Sequence, residues 1–256
     1  MPAPRILVLQ PLIAPGSPFD YRMLGYQYLI ADCLTQAGFE GASGLFRRPD
    51  PSDRARELVG TETPSDGELR KTLLEHGARY GLLSWFEAFQ GEPSLSTVRL
   101  CEVRRGRPLR TLARWQFGGE THSFPLATCT VLVDVAARLG REIQPANWEA
   151  LLGTADEGIA SSYLAALGCY SAADQGFVIA EPERALRAMV LGIQGGMGPA
   201  VNMMPRLVEA LAESGSADEA TLRAAVEAAL EVVGDVPTDW EPMLRELRLA
   251  GRGPLN

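Results

Sequence analysis

Residues 76–117 read HGARYGLLSWFEAFQGEPSLSTVRLCEVRRGRPLRTLARWQF. Three apolar-rich runs, RYGLLSWFEAF, LSTVRLCEV and LRTLARWQF, are separated by GEPS and RRGRP. Runs of this length with short turn-forming breaks predict a meander of three antiparallel strands. Val98, Leu100 and Val103, or Leu109, Leu112 and Trp115, supply the inward positions. The acid, base and nucleophile types on this stretch are scattered and form no catalytic constellation, so the sheet it predicts is read as a surface for binding.

Working upstream, Arg5 to Leu12 (RILVLQPL) is a compact apolar run ended by proline, as a buried strand is. The loop IAPGSPFDY follows, then a helix over Met23–Gly38 with Leu24, Tyr28, Ala31 and Leu34 or Thr35 one turn apart, stopped by Gly38. Gly41–Arg48 (GASGLFRR) predicts a short second strand. The Pro-, Asp-, Ser- and Thr-rich segment after it predicts a surface excursion. Ser65 or Asp66 caps a helix through GELRKTLLEHGA, with Leu69, Leu73 and Leu74 on one face and Gly77 behind it. Downstream of the meander, Ser123–Gly140 predicts a closing helix. The order β-α-β-α-β-β-β-α gives an α/β domain, a mixed sheet with packed helices, over residues 1–143.

Past REIQPAN no strand pattern recurs. SSYLAALGCYSAADQG, EPERALRAMVLGIQGG, PAVNMMPRLVEALAESG and DEATLRAAVEAALEVVG alternate helix with glycine-rich break. Pro182 sits where a first helical turn accepts it, and acidic residues stand where the helix dipole favours them. Residues 144–256 therefore predict an all-α domain of helical hairpins.

Charge follows the same division. The first 150 residues hold 17 basic and 17 acidic side chains and the remainder 7 and 15, so the net charge of −8 belongs to the second part. A neutral part followed by an acidic one argues against nucleic-acid binding, which rests on clustered cationic charge. Lys71 is the only lysine. Cys33, Cys101, Cys129 and Cys169 form no CxxC pair and read as reduced, buried small hydrophobes. The amino-terminal apolar run is too short for a secretory signal, and no stretch approaches the ~20 apolar residues of a membrane span. A cytoplasmic protein with no membrane span and no cofactor is the expectation.

Residues 1–140 resemble the TolB amino-terminal-like domain. The likeness is carried by ILVLQPL, by LGYQYLIADCLTQAGF, by HGARYGLLSWFEAFQG with its Gly-x-x-Tyr-x-Leu core, by the strand pair that follows, and by the closing VAARLG. The stretch SSYLAALGCYSAADQGFVIAEPERALRAMVLGIQ is similar to a tetratricopeptide entry helix pair at Tyr163, Leu164, Pro182, Glu183, Ala185 and Leu186. The recurrence of about 34 residues that defines such repeats is not maintained, and GGMGPAVNMMP interrupts it. The resemblance implies a bacterial, non-catalytic sensory, signalling or scaffolding role.

Candidate catalytic and metal-ligating residues are few. His76 ends a helix, where the dipole explains it. His122 with Cys129 is the one pairing of nucleophile and base type, on a segment where Cys129 is expected to be buried. Two distant histidines and four distant cysteines match no zinc spacing. Gly195-Gly196-Met197-Gly198 lacks the lysine and hydroxyl of a phosphate loop and follows a helix, so it reads as a hairpin connection. Met197, Met203 and Met204, near Pro199 and Pro205, read as core filling in preference to a soft hydrophobic surface. Two clusters remain. Arg104, Arg105, Arg107 and Arg110, flanked by Arg99 and Arg114, make a basic turn, which by default is a solvated turn and otherwise grips an acidic partner, a nucleotide phosphate or the chain's own acidic helical part. Phe19, Tyr21, Tyr26 and Tyr28, with Asp20 and Arg22 among them, lie in and just after the loop leaving the first strand, where ligands collect in open α/β sheets; by helical spacing half or more of these aromatics are core and the others are left for a contact patch. The partner-binding set predicted from sequence is Phe19, Tyr21, Arg22, Tyr26, Arg104, Arg105 and Arg107. It suits a scaffold or adaptor that binds another protein, or a second copy of itself, through that loop and the helical domain. The alternative is a sensor holding a small molecule or nucleotide at the carboxyl end of the sheet.

Overall fold

The computed structural model describes residues 5–17, 19–43, 58–89, 92–117, 124–141 and 157–248. The chain divides into two compact units, Met1–Pro145 and Ala146–Asn256.

In the first unit, β1 (Arg5–Val8), β2 (Leu12–Ile13), β3 (Glu40–Ser43), β4 (Tyr80–Phe89), β5 (Glu92–Glu102) and β6 (Arg110–Gln116) form one mixed sheet in the order β3-β1-β4-β5-β6, with β2 also on β4. β1 runs parallel to β3 and β4, whereas β4, β5 and β6 form the antiparallel meander expected of residues 76–117. α1 (Tyr21–Gln36), α2 (Asp66–Glu75) and α3 (Phe124–Arg138) accompany the sheet.

Two glycines set the distance between helices and sheet. A Cβ on Gly41 would stand 2.5 Å from the Ala31 carbonyl oxygen of α1, and one on Gly81 would stand 2.8 Å from Leu73 Cδ2 of α2. Helix α2 packs on the cluster of Leu7, Leu9, Leu69, Leu73, Leu83 and Val103. Its start is fixed by a capping box: Ser65 Oγ accepts from the Glu68 N–H at 3.3 Å, and the Ser65 N–H donates to Glu68 Oε2 at 2.9 Å. Such a cap is worth about 1 kcal/mol. Gly38, at φ +78°, ends α1's C-terminal turn as expected.

Several sequence expectations are corrected. The first strand is not continuous over residues 5–12 but breaks at Leu9–Pro11 and resumes as β2. Proline has no N–H for the ladder, and here its carbonyl accepts from the Gly60 N–H at 3.0 Å while the Gly60 carbonyl accepts from Ile13 at 2.8 Å. The end of the presumed surface excursion is therefore part of the core, with Leu58 and Val59 buried beside it. The second strand begins at Glu40 and ends at Ser43; residues 44–48 lie outside the described residues. Val98, Leu100 and Val103 are buried, but Leu109, Leu112 and Trp115 are only half-buried because β6 is the edge of the sheet. Leu74 turns to solvent at 39% exposure, one residue off the face made by Leu69 and Leu73.

In the second unit the described residues form α4 (Glu157–Ala173), α5 (Pro182–Gln194), α6 (Gly198–Glu213), α7 (Glu219–Val233), a 3-10 turn (Thr238–Trp240) and α8 (Glu241–Glu246). Helix α5 packs against α4, α6 and α7. The last two elements had no counterpart in the sequence reading. They matter because Pro205 lies inside α6 and has no N–H to give the Val201 carbonyl four residues back. The Trp240 indole Nε1–H donates to that carbonyl instead, at 3.0 Å, from a wholly buried ring. Ser216 plays a similar part between two connections, accepting from the Ile179 N–H at 2.8 Å. Among the described residues no helix is long and apolar enough to cross a membrane.

Candidate functional site

The seven predicted contact residues fall into two groups, and the strand register places them at opposite ends of the sheet. Glu102, next to the arginine turn, pairs with Tyr80 at the start of β4, whereas β2, which leads into Phe19–Arg22, pairs with Trp85 and Phe86. Six residues of strand separate the ends by about 20 Å.

At the β2 end the aromatic loop proves largely structural. Asp20 caps α1 by accepting from the Arg22 N–H at 2.8 Å. The same carboxylate holds the Arg22 guanidinium through Nε at 3.0 Å and Nη2 at 2.7 Å, so the positive charge is already compensated. Tyr26 is corrected outright as a partner-binding residue. Its ring is wholly buried and sits edge-on to Phe86 at 5.5 Å, and burial pushes its phenol far above the usual range. Phe19 and Tyr21 remain half-exposed as an edge-to-face pair with centroids 5.0 Å apart. Moreover, the chain does not leave the sheet at the end of β1: Leu9, Gln10 and Pro11 are buried and β2 continues along β4.

The other end is built around a carboxylate that the sequence reading passed over. Glu102 is 3% exposed. Arg79 donates to its Oε1 through Nε at 3.0 Å and Nη2 at 2.7 Å, and Arg104 Nη2 lies 3.0 Å from Oε2. Burial alone would raise this carboxyl, but the hydrogen bonds and charges of the two arginines outweigh it, and the group lies below the usual carboxylate range. The Arg79 guanidinium is raised, chiefly by its hydrogen bond to Glu102. A signal for this was present: Glu102 continues the Val98, Leu100 alternation and stands directly before a run of arginines.

Arg104 is therefore half committed to the fold. Beyond it the chain reverses in a turn closed by the Arg107 N–H to the Arg104 carbonyl at 3.2 Å, with Gly106 at φ +70° in the third place. Only glycine or asparagine sits there without strain. Arg70 of α2 donates to the Arg107 carbonyl at 3.2 Å and steadies the turn. Arg105, Arg107, Arg110 and Arg114 are exposed, and among the described residues no carboxylate stands within ion-pair distance of them. Arg99, in contrast, is spent on Asp66 at 2.9 Å and Thr111 at 2.9 Å.

No protein-family model, curated protein or solved structure matches the chain.

The remaining candidates resolve locally. His76 caps α2, with Nδ1 2.9 Å from the Thr72 carbonyl. His122 and the side chain of Cys129 lie outside the described residues. Cys33, Cys101 and Cys169 are buried and in no disulfide, and burial is the main cause raising Cys101. Gly195–Met197 is the connection between α5 and α6; Met197 and Met204 are wholly buried and Met203 nearly so. Among the described residues no group of three or more His, Cys, Asp or Glu is placed to hold a metal ion.

Proposed function

We propose that the chain is a non-catalytic, cytoplasmic adaptor whose sheet domain engages a protein partner through the arginine turn and the adjoining edge strand. The observation that carries this reading is the set of four exposed arginines without carboxylate partners among the described residues, beside the last strand of the sheet. A surface built for solubility alone intersperses both signs; here four charges of one sign occupy ten residues. Arginine is also the side chain best suited to gripping carboxylates in pairs. The half-exposed Phe19–Tyr21 pair offers a second, smaller contact at the opposite end. Helices α4–α7 serve as an all-α array of hairpins of the kind that binds peptides along a concave face. The likeness of residues 1–140 to the TolB amino-terminal-like domain, ahead of tetratricopeptide-like helices, agrees with this division of labour.

The test is affinity capture from native lysate with the wild-type chain and with Arg105→Gln/Arg107→Gln/Arg110→Gln/Arg114→Gln, both shown by thermal melting to be folded. A protein retained by the first and lost by the second supports the reading. Equal recovery with both chains, or recovery of nothing by either, overturns it.

A further inference from the structure

Granted the adaptor reading, on which this inference rests, the chemistry of the partner is set by the sheet edge beside the arginine turn. β6 pairs with β5 alone, so among the described residues its other edge carries no strand. Which backbone groups face outward is fixed by the register. The Phe117 N–H donates to the Ser96 carbonyl at 3.0 Å, so Phe117 faces β5, and Thr97 is opposite Gln116. In an antiparallel pair the bonding direction alternates residue by residue. Trp115 and Ala113 therefore bond to β5, while Arg114 and Gln116 turn their N–H and C=O away from the sheet. The Leu112 carbonyl is already met, at 3.4 Å, by Arg138 of α3. The open ladder thus starts at Arg114.

The side chains around this ladder decide what fits it. The pairing shifts where Leu100 and Cys101 face Ala113 and Thr111, leaving Leu112 as an extra residue on β6. A one-residue bulge reverses which face later side chains occupy. Arg114 opposite Arg99 consequently lies on the α2 face, and Arg110 opposite Glu102 lies on the other. Uncompensated cations flank the edge on both faces, with Arg105 and Arg107 at its entrance. We propose that the outer edge of β6 takes an extended acidic segment of a partner protein as an added strand, its backbone on Arg114 and Gln116 and its carboxylates on Arg110 and Arg114.

A second copy of this chain does not meet that description, because antiparallel pairing of two β6 edges sets arginines against arginines, and like charges directly opposite are destabilising. Single-stranded nucleic acid fits less well. A phosphate chain cannot supply the alternating donors and acceptors of a strand, which the outward N–H and C=O groups of Arg114 and Gln116 call for.

The probe is a fluorescein-labelled nine-residue peptide, three repeats of Thr-Glu-Val, whose glutamates at every third position fall on alternate faces of a strand. Fluorescence anisotropy with the full chain is expected to show binding that weakens with salt. It should fall by roughly fivefold in Arg110→Gln/Arg114→Gln, the scale of two partly exposed ion pairs. It should be lost when the central peptide amides are N-methylated, and lost in Gln116→Pro, which deletes an outward N–H without touching the β5 ladder. Should Gln116→Pro melt early, the N-methylated peptide carries the same test on the wild-type protein. Undiminished binding of the N-methylated peptide, or equal competition by an oligothymidylate of the same charge, marks a general polyanion patch and overturns the proposal. Absence of binding to the folded wild-type protein overturns it too. The adaptor reading would then stand or fall separately, on whether capture from lysate depends on the arginines.

Discussion

Replacing Trp240 by Phe tests the most particular feature of the helical unit. The Val201 carbonyl has lost its helical donor to Pro205 and holds the N–H of the wholly buried Trp240 indole at 3.0 Å, in a part-buried bond. Phenylalanine keeps most of the ring but leaves the carbonyl without a donor, which costs about 1–2 kcal/mol for a part-buried group. Loss of the larger ring's packing adds about 1 kcal/mol. In the background of Pro205→Ala the new residue supplies an N–H four residues after Val201, so the carbonyl stays satisfied and only the packing loss remains. The Trp240→Phe cost should therefore shrink by about 1–2 kcal/mol in that background. Urea unfolding of the four proteins of the cycle reads this difference directly; in thermal melts it corresponds to roughly 4 °C per kcal/mol. An equal cost in both backgrounds would refute the claim that the indole substitutes for the missing helical donor.

Glu102→Gln should destabilise the sheet unit by about 1.5–3 kcal/mol at neutral pH, since Arg79 and Arg104 lose a charged acceptor. Because the folded carboxyl lies below the unfolded value of about 4.3, its contribution is present above that pH and fades as pH falls through the lowered folded value. Acid titration of stability should accordingly be shallower in Glu102→Gln, and parallel acid limbs would contradict the buried carboxylate. Gly41→Ala should cost at least about 1 kcal/mol, because the new methyl meets a backbone oxygen of α1 and the helix must move; a neutral result by urea unfolding would mean the helix does not sit that close. Ser216→Ala should cost about 1–3 kcal/mol by stranding the Ile179 N–H, with Ser216→Thr recovering most of it; if alanine were tolerated, the two connections would not depend on that hydroxyl.

The meander, the three helices of the sheet unit and the four long helices beyond it were readable because their apolar periodicity is strong and glycine, proline or a capping serine marks their ends. What escaped the sequence was set by tertiary partners. β2 is held between β4 and Gly60, both far along the chain, and no local pattern around Pro11 announces that. The short elements at residues 238–246 depend on a carbonyl that Pro205 freed. Tyr26 was grouped with Phe19 and Tyr21 by proximity in sequence, yet helical geometry turns it onto Phe86. The arginine turn was visible as a cluster, but which of its charges are available was not. Glu102 takes Arg79 and Arg104, Asp66 takes Arg99, and only the folded register leaves Arg105, Arg107, Arg110 and Arg114 over.

The most direct measurement is amide hydrogen exchange along β6, with and without the acidic nonapeptide. In the free protein Ala113 and Trp115 should be protected while Arg114 and Gln116 exchange rapidly, and added peptide should slow those two amides above all others in the unit. Uniform protection of the four amides in the free protein, or peptide binding that leaves Arg114 and Gln116 unchanged, would contradict an open arginine-lined edge as the working surface of this molecule.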